Sequence, residues 1–456
     1  FGSSLCLSSS PSCTPAAEMW GPWPLVWCAL LATTADAASP TVSVTSPALG
    51  DLDLDVGELG GTVTWTAPSN VTTVTTYTAA LATDAVGSGY SLLGTVAVGT
   101  NAVGVVAGTL VSSYTHIVVY TGNADGLQAS PASGVLSDTT ASASSVAFVD
   151  ADLDETELGG DVTWSPPADT TAVSHYLAYL STSNYGAARY LVGSEVAVGT
   201  NLVSLAAETA LNLSAYVVVY TKSTLGEQTQ PAYVSISDTA SPISSLLFVD
   251  KDLDASQLGG SITWSPPSDT SQVANYEVYW ADSVSRASIS SVALGTNLLD
   301  VPAETALSTK THIRVYSESV LAEQTTPVSI MVVDRSSSVT NLAFPDTDLD
   351  PSQLGGNVTW TAPLDVSQVL NYSVYFALSG AGTGKSQVGT DIAVATSLPF
   401  VPLHTPIGSY THMVAYTKSS LAEQTTPVSV LLVDNYGAVS SIALVDMDLD
   451  AGELGG

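Results

Sequence analysis

Carboxylates set at alternate positions are the residues of this chain whose types and spacing could do chemistry. The string Asp-x-Asp-x-Asp-x-x-x-Leu-Gly-Gly occurs five times. Its oxygen-bearing side chains are Asp51, Asp53, Asp55 and Glu58; Asp150, Asp152, Asp154 and Glu157; Asp250, Asp252, Asp254 and Gln257; Asp346, Asp348, Asp350 and Gln353; and Asp446, Asp448, Asp450 and Glu453. If the segment curls, three such carboxylates can meet one cation, and calcium is the candidate ion because it takes hard oxygen ligands. The Glu/Gln alternation would keep an oxygen ligand while changing the charge. The string opens like an EF-hand loop but is not one. Its sixth position, Gly in an EF-hand, is Val56, Glu155, Ala255, Pro351 or Ala451, and its twelfth, a bidentate Glu there, is Thr62, Asp161, Ser261 or Asn357. The competing reading is a solvated acidic turn, since Asp and Gly are favoured in turns whatever they bind.

The copies are spaced by 96 to 100 residues, a period that matches one small domain rather than a solenoid unit of about 20 to 50 residues. The expected repeats are 39–139, 140–239, 240–335 and 336–434, with 435–456 as the truncated start of a fifth, so the chain reads as part of a longer protein. Ahead of them, residues 1–18 read as upstream or gene-model sequence and 19–38 as a signal peptide. An apolar run over 25–32 precedes Ala35-Asp-Ala37, an Ala-x-Ala cleavage pattern. Residues 20–38 are the one candidate membrane span, as a signal anchor, with an apolar run shorter than the roughly 20 residues of a span. Cys6, Cys13 and Cys28 all precede the repeats, so no disulfide staples them. Asn70, Asn212, Asn357 and Asn371 head Asn-x-Ser/Thr sequons and are candidate glycosylation sites. With 9 Lys and Arg against 42 Asp and Glu, the chain has no basic stripe, which argues against a nucleic-acid partner.

Within a repeat the apolar runs are short and β-branched. In 140–239, residues 146–149, 161–164, 174–180, 195–199, 202–206, 216–220 and 233–236 read as strands, with the acidic string as a loop and Gly159-Gly160 as the entry to the second strand. No stretch sustains a 3.6-residue apolar period. The expected fold class is all-β, a tandem array of about seven-stranded, two-sheet sandwiches. Trp65, Trp164, Trp264 and Trp360 are expected to lie buried at equivalent places.

Trp164-Ser-Pro-Pro, Tyr176-Leu-Ala-Tyr179 and Leu213-Ser-Ala-Tyr216-Val-Val-Val-Tyr220 resemble the fibronectin type III pattern of a strand-B tryptophan, a strand-C tyrosine and a strand-F tyrosine corner. Trp264, Tyr276, Tyr279 and Tyr316, then Trp360, Tyr372, Tyr375 and Tyr416, continue it in the next two repeats. The resemblance covers four complete repeats, and a more general immunoglobulin-like sandwich is the fallback. One position departs: Tyr216 is replaced by His116, His312 and His412 in the other repeats, and this recurrence at one place reads as positional rather than metal-binding.

The resemblance implies a secreted or cell-surface structural and adhesive protein, a spacer and binding array whose partner is an extracellular protein or glycan; calcium held by the acidic strings would stiffen it. The alternatives are an accessory region of a larger extracellular enzyme and a receptor ectodomain. Catalysis within the chain is not expected, because no Gly-x-Ser-x-Gly, His-Glu-x-x-His, phosphate-binding Gly-Lys-Ser/Thr or Cys/His metal pattern is present.

Overall fold

The structure is a computed structural model that describes residues 38–394 and 399–455. The upstream stretch 1–18, the three cysteines and all but the last residue of the expected leader lie outside the described residues. All regular secondary structure among the described residues is β, and no helix there is long and apolar enough to cross a membrane.

Period-2 alternation of β-branched and aromatic residues builds each of the first three repeats into a three-stranded and a larger sheet. In the second repeat Ser144–Phe148, Glu157–Ser165 and Leu202–Ala210 form one sheet, with Glu157–Ser165 central. In the other sheet His175–Ser181 pairs with Tyr216–Lys222, which pairs with Ala232–Ser235, while the short strands Tyr190–Leu191 and Val196–Ala197 both border His175–Ser181. All these pairings are antiparallel. The third repeat repeats the plan, with Arg286–Ala293 as one continuous strand beside Asn275–Ala281. In the fourth, the smaller sheet is split into two pairs, Thr340–Ala343 with Thr359–Thr361 and Gln353–Asn357 with Phe400–Pro406. Residues 435–455 form no strand.

The seven strands expected in the second repeat are all present, and the short strand Tyr190–Leu191 is an eighth. The second strand starts earlier than the sequence suggests, at Glu157, so the paired glycines lie inside it rather than at its entrance. The register slips between Leu158 and Gly160, and Gly160 has φ +131°, the backbone of a β-bulge that only glycine adopts without strain. Between the sheets, Trp164 and Tyr176 pack with ring centroids 5.4 Å apart, and Val162, Ala178, Leu180, Val217 and Val219 complete the core. Trp65, Trp164 and Trp264 are each 5% exposed, but Trp360 is only partly buried, on the short strand left by the split sheet.

The chain divides into two compact units. Among the described residues, one comprises those up to Leu49 with Thr62–Gly104 and Ser113–Leu136; the other comprises Gly50–Gly61, Val105–Ser112 and those from Ser137 on. In the first, Thr76–Ala82 is flanked by Ser91–Ala97 and His116–Asn123, with Ala132–Val135 beyond, around a Trp65–Tyr77 pair at 5.5 Å. The second unit therefore holds the first repeat's acidic string as well as repeats two to four.

Candidate functional site

The acidic string is a folded loop whose carboxylates are mostly buried and face backbone N–H groups. The first aspartate of each copy closes its own loop. Asp250 Oδ1 accepts from the amides of Asp252 and Gly259 at 3.1 and 2.9 Å, and its Oδ2 accepts from Arg335 N–H in the connector to the next repeat at 2.9 Å. Asp51, Asp150 and Asp346 make the same three bonds, reaching Thr139, Thr239 and Asn435. The connector replies: Asp138, Asp238, Asp334 and Asp434 accept from Gly57, Thr156, Ser256 and Ser352 amides at 2.8–2.9 Å. Burial pushes the carboxyls of Asp51, Asp150 and Asp250 above the usual range, opposed by these N–H groups, which favour the charged form.

The second aspartate ties the loop to the far strand of the smaller sheet. Asp53, Asp152, Asp252 and Asp348 each accept through Oδ1 from the amide of the third aspartate and through Oδ2 from Gly108, Glu208, Glu304 or His404 at 2.6–2.8 Å. Each of those four residues has a positive φ, a kink that aims its amide at the carboxylate.

The third aspartate reaches out of its own repeat. Asp55 accepts from the amides of Thr229 and Gln230, Asp154 from Thr325 and Thr326, and Asp254 from Thr425 and Thr426, at 2.6–3.2 Å in every case. The donors sit on one turn of the following repeat. That turn reads Ser223-x-Leu225-x-Glu227-Gln228-Thr229-x-Pro231, and the same pattern recurs over 319–327 and 419–427. Its other members converge on the same loop. Gln324 and Gln424 donate to the carbonyls of Leu153 and Leu253 at 2.7 and 2.8 Å, and Ser223 and Ser419 donate to those of Leu52 and Lys251 at 2.6 Å.

The leucines divide their labour. Leu158 and Leu258, in the Leu-Gly-Gly, join the cores of their own repeats, whereas Leu54, Leu153 and Leu253, between the second and third aspartates, join the cores of repeats two, three and four. The core that this leucine enters is the neighbour's. Each of the three is 2% exposed, so each contributes about 1.5–3 kcal/mol of apolar burial across a junction. The first glycine of the pair makes room for a different leucine, on the next repeat's turn. A methyl group at Gly60, Gly159 or Gly259 would run into Leu225, Leu321 or Leu421 of the next repeat's turn.

A carboxylate cluster remains at each loop, and it differs from the expected one. Ligand-competent oxygens lie within 4.8 Å of one another in Asp53, Asp55 and Glu58; in Asp152, Asp154, Glu157 and Glu208; in Asp252, Asp254 and Glu304; and in Asp448, Asp450 and Glu453. In the fourth repeat Asp348 and Asp350 gather with His404. The first aspartates stand outside these groups, Gln353 shares a 2.9 Å hydrogen bond with His404, and Glu208, Glu304 and His404 enter from a strand some 50 residues away. Only the fold shows that placement. Burial pushes the Glu208 carboxyl up to about 7, helped by its hydrogen bond with Glu157 and the charges of Asp152 and Asp154.

The remaining sequence candidates have structural places. His116, His312 and His412 each open a strand and share a 2.8 Å hydrogen bond with the preceding threonine; in the second repeat the Thr–His pair becomes Ala215–Tyr216. The tyrosine common to all four repeats lies four residues on. Tyr220, Tyr316 and Tyr416 each face a second tyrosine, with Arg189, Arg286 and Lys385 over both rings at 4.0–4.6 Å and paired with Glu227, Glu323 and Glu423. These three cations hold the root of the turn that receives the acidic loop. Among the sequons, Asn70, Asn212 and Asn357 are exposed, and Asn371 is half-buried at the start of a central strand.

No protein-family model and no curated protein matches the chain. Solved structures do. A two-domain fibronectin type III segment from chicken tenascin is 13% identical, covering 42% of this chain and 98% of that one at a TM-score of 0.19. The FN1–FN3 domains of chicken CNTN1 are 12% identical, covering 64% and 98% at a TM-score of 0.22. Such values carry no argument about what the chain does, and the fold rests on its own strand order. By that order, the chain is a tandem array of fibronectin type III-like β-sandwiches.

Proposed function

We propose that the chain is a secreted or cell-surface structural and adhesive spacer, in which the acidic strings act as directional joints that fix each sandwich against the next. The observation that carries this reading is that the third aspartate and the leucine before it belong, by their contacts, to the following repeat. The joints among repeats two to four, built from the same residues, set these modules at a fixed relation, which is what a spacer needs and a flexible linker does not supply. The acidic surface keeps such an array soluble, and the leader-like segment 19–38 supports export.

Calcium adds to this arrangement. Backbone N–H groups already neutralise much of each aspartate, so the joint holds without an ion; the residual cluster of Asp152, Asp154, Glu157 and Glu208 offers four carboxylates to one. Melting the protein in chelator and in millimolar calcium at fixed ionic strength tests both parts. In chelator the fourth repeat is expected to melt at a lower temperature in Leu253→Ala than in the parent. Calcium is expected to raise the Tm, by the equivalent of about 2.7 kcal/mol at a hundredfold excess over Kd, and Glu208→Gln to reduce that shift. An unshifted fourth-repeat melt in Leu253→Ala would refute the joint; a Tm unmoved by calcium would refute the calcium site alone.

A further inference from the structure

The turns that lead into Tyr216–Lys222, His312–Glu318 and His412–Lys418 share one plan. Asn212, Ser308 and Gly408 take φ values of +50°, +47° and +55°, and Ser214, Lys310 and Tyr410 then donate N–H to the carbonyls of Leu211, Leu307 and Ile407 at 3.0–3.2 Å. In the third and fourth repeats that last residue is a lid. Tyr410 stacks on Phe376 with ring centroids 5.8 Å apart, and the Lys310 ammonium lies 5.7 Å from the centre of the Trp280 ring. Leu180 holds the register of Phe376 and Trp280 in the second repeat, but the turn there supplies only Ser214. A pocket of about 430 Å³ stands at this place, lined by Leu180, Tyr190, Asn212, Leu213 and Ser214 among others.

The pocket's apolar wall is peculiar to this repeat. Tyr190 is 78% and Leu213 84% exposed. At the place of Tyr190, opposite the same strand position, stand Ala287 in the third repeat and Ser386 in the fourth, and Leu213 is replaced by Thr309 and Ser409. Exposed apolar side chains gathered at one place mark a surface that something covers. The serine that leaves the pocket without a lid also completes the sequon Asn212-Leu213-Ser214. We infer that Asn212 carries an N-linked N-acetylglucosamine, and that the apolar C–H face of this sugar lies on Tyr190 and Leu213 and closes the pocket. Asn212 is exposed, and its Nδ2 uses one hydrogen on the Ala210 carbonyl at 3.2 Å, which leaves the other to be replaced. Nδ2 bonds to C1 of the sugar and gives up that proton, while the C1–O bond to a lipid-linked pyrophosphate, the donor, breaks and the pyrophosphate leaves with the electron pair. The inference rests on the export reading above, since this donor is met in the secretory pathway.

The test expresses the full chain in a eukaryotic host that adds high-mannose glycans, which an endoglycosidase then trims to the first N-acetylglucosamine. Peptide mapping by mass reads occupancy at Asn212, and nitration reads the exposure of Tyr190 against Tyr185, an exposed tyrosine of the same repeat. Asn212 is expected to carry the sugar, and Tyr190 to be nitrated several-fold more slowly than in two unglycosylated variants, Asn212→Gln and Ser214→Ala, the second of which keeps the asparagine in its turn. A secreted chain without sugar at Asn212 would overturn the inference, as would equal nitration rates with and without the sugar. Protection of Tyr190 that persists in both variants and grows with protein concentration would show a protein to be the occupant, and would overturn it too. A chain that stays in the cytosol would contradict the export reading alone; residues 38–456 behind a standard secretory leader then give the same two readouts on the sugar.

Discussion

Leu253→Ala is expected to destabilise the fourth repeat by about 2–5 kcal/mol while leaving the third, which carries the residue, nearly unchanged. Leu253 is 2% exposed and packs among Val339, Leu342, Leu354 and Val358 of the following sandwich. Truncation removes its transfer free energy and leaves a cavity there, at a place hemmed in by backbone hydrogen bonds that resist collapse. Hydrogen exchange reads the result by location. Amides of Asn371–Ala377 and His412–Lys418 should lose protection, and those of Asn275–Ala281 should keep it. Equal loss in both repeats, or loss confined to the third, would show that the leucine serves its own core.

Asp250→Ala is expected to cost about 3 kcal/mol or more, because three N–H groups lose their acceptor at a site only 1% exposed, each at about 1–3 kcal/mol. Asp250→Asn separates geometry from charge. Its Oδ1 can still serve the amides of Asp252 and Gly259, but an NH2 group would then face the Arg335 N–H, donor against donor. An intermediate loss of about 1–3 kcal/mol is expected. Thermal melts of both variants measure it, and an Ala variant as stable as the parent would mean that the loop does not hold the connector.

The sandwich could be read from the sequence because its signals are local. Tryptophan and tyrosine at fixed offsets, β-branched runs and proline stops set strands whose partners lie in the same repeat, and the four tryptophans occupy equivalent places. Trp360 is the partial exception, since the strand that carries it in other repeats is interrupted at Val358. The acidic string was equally visible, and its recurrence marked it as part of the module. Its purpose was not legible from the string alone, because the bonds of Asp154 and Asp254 that matter most span 171 and 172 residues. The missing signal was printed three times, in the turns at 223–231, 319–327 and 419–427. It reads as a polar loop until its serine, leucine, glutamine and threonine are asked which neighbour they face. The backbone amides from which the aspartates accept carry no sequence signature, so the string alone leaves a cation site and an acidic turn both open. The first residue of the string persists in this role even in 446–455, where no strand forms, with Asp446 accepting from Asp448 and Gly455 at 3.0 and 3.2 Å.

Distances between repeats two and four test the rigid joint most directly. Spin labels at S235C and S429C, both on exposed faces of edge strands, can be placed in a chain whose three native cysteines are replaced by serine. Pulsed dipolar spectroscopy in chelator should give one narrow distance distribution, unchanged by calcium and broadened by L253A combined with D254N. A broad distribution in the unmodified joint, or one that narrows only when calcium is added, would contradict the account.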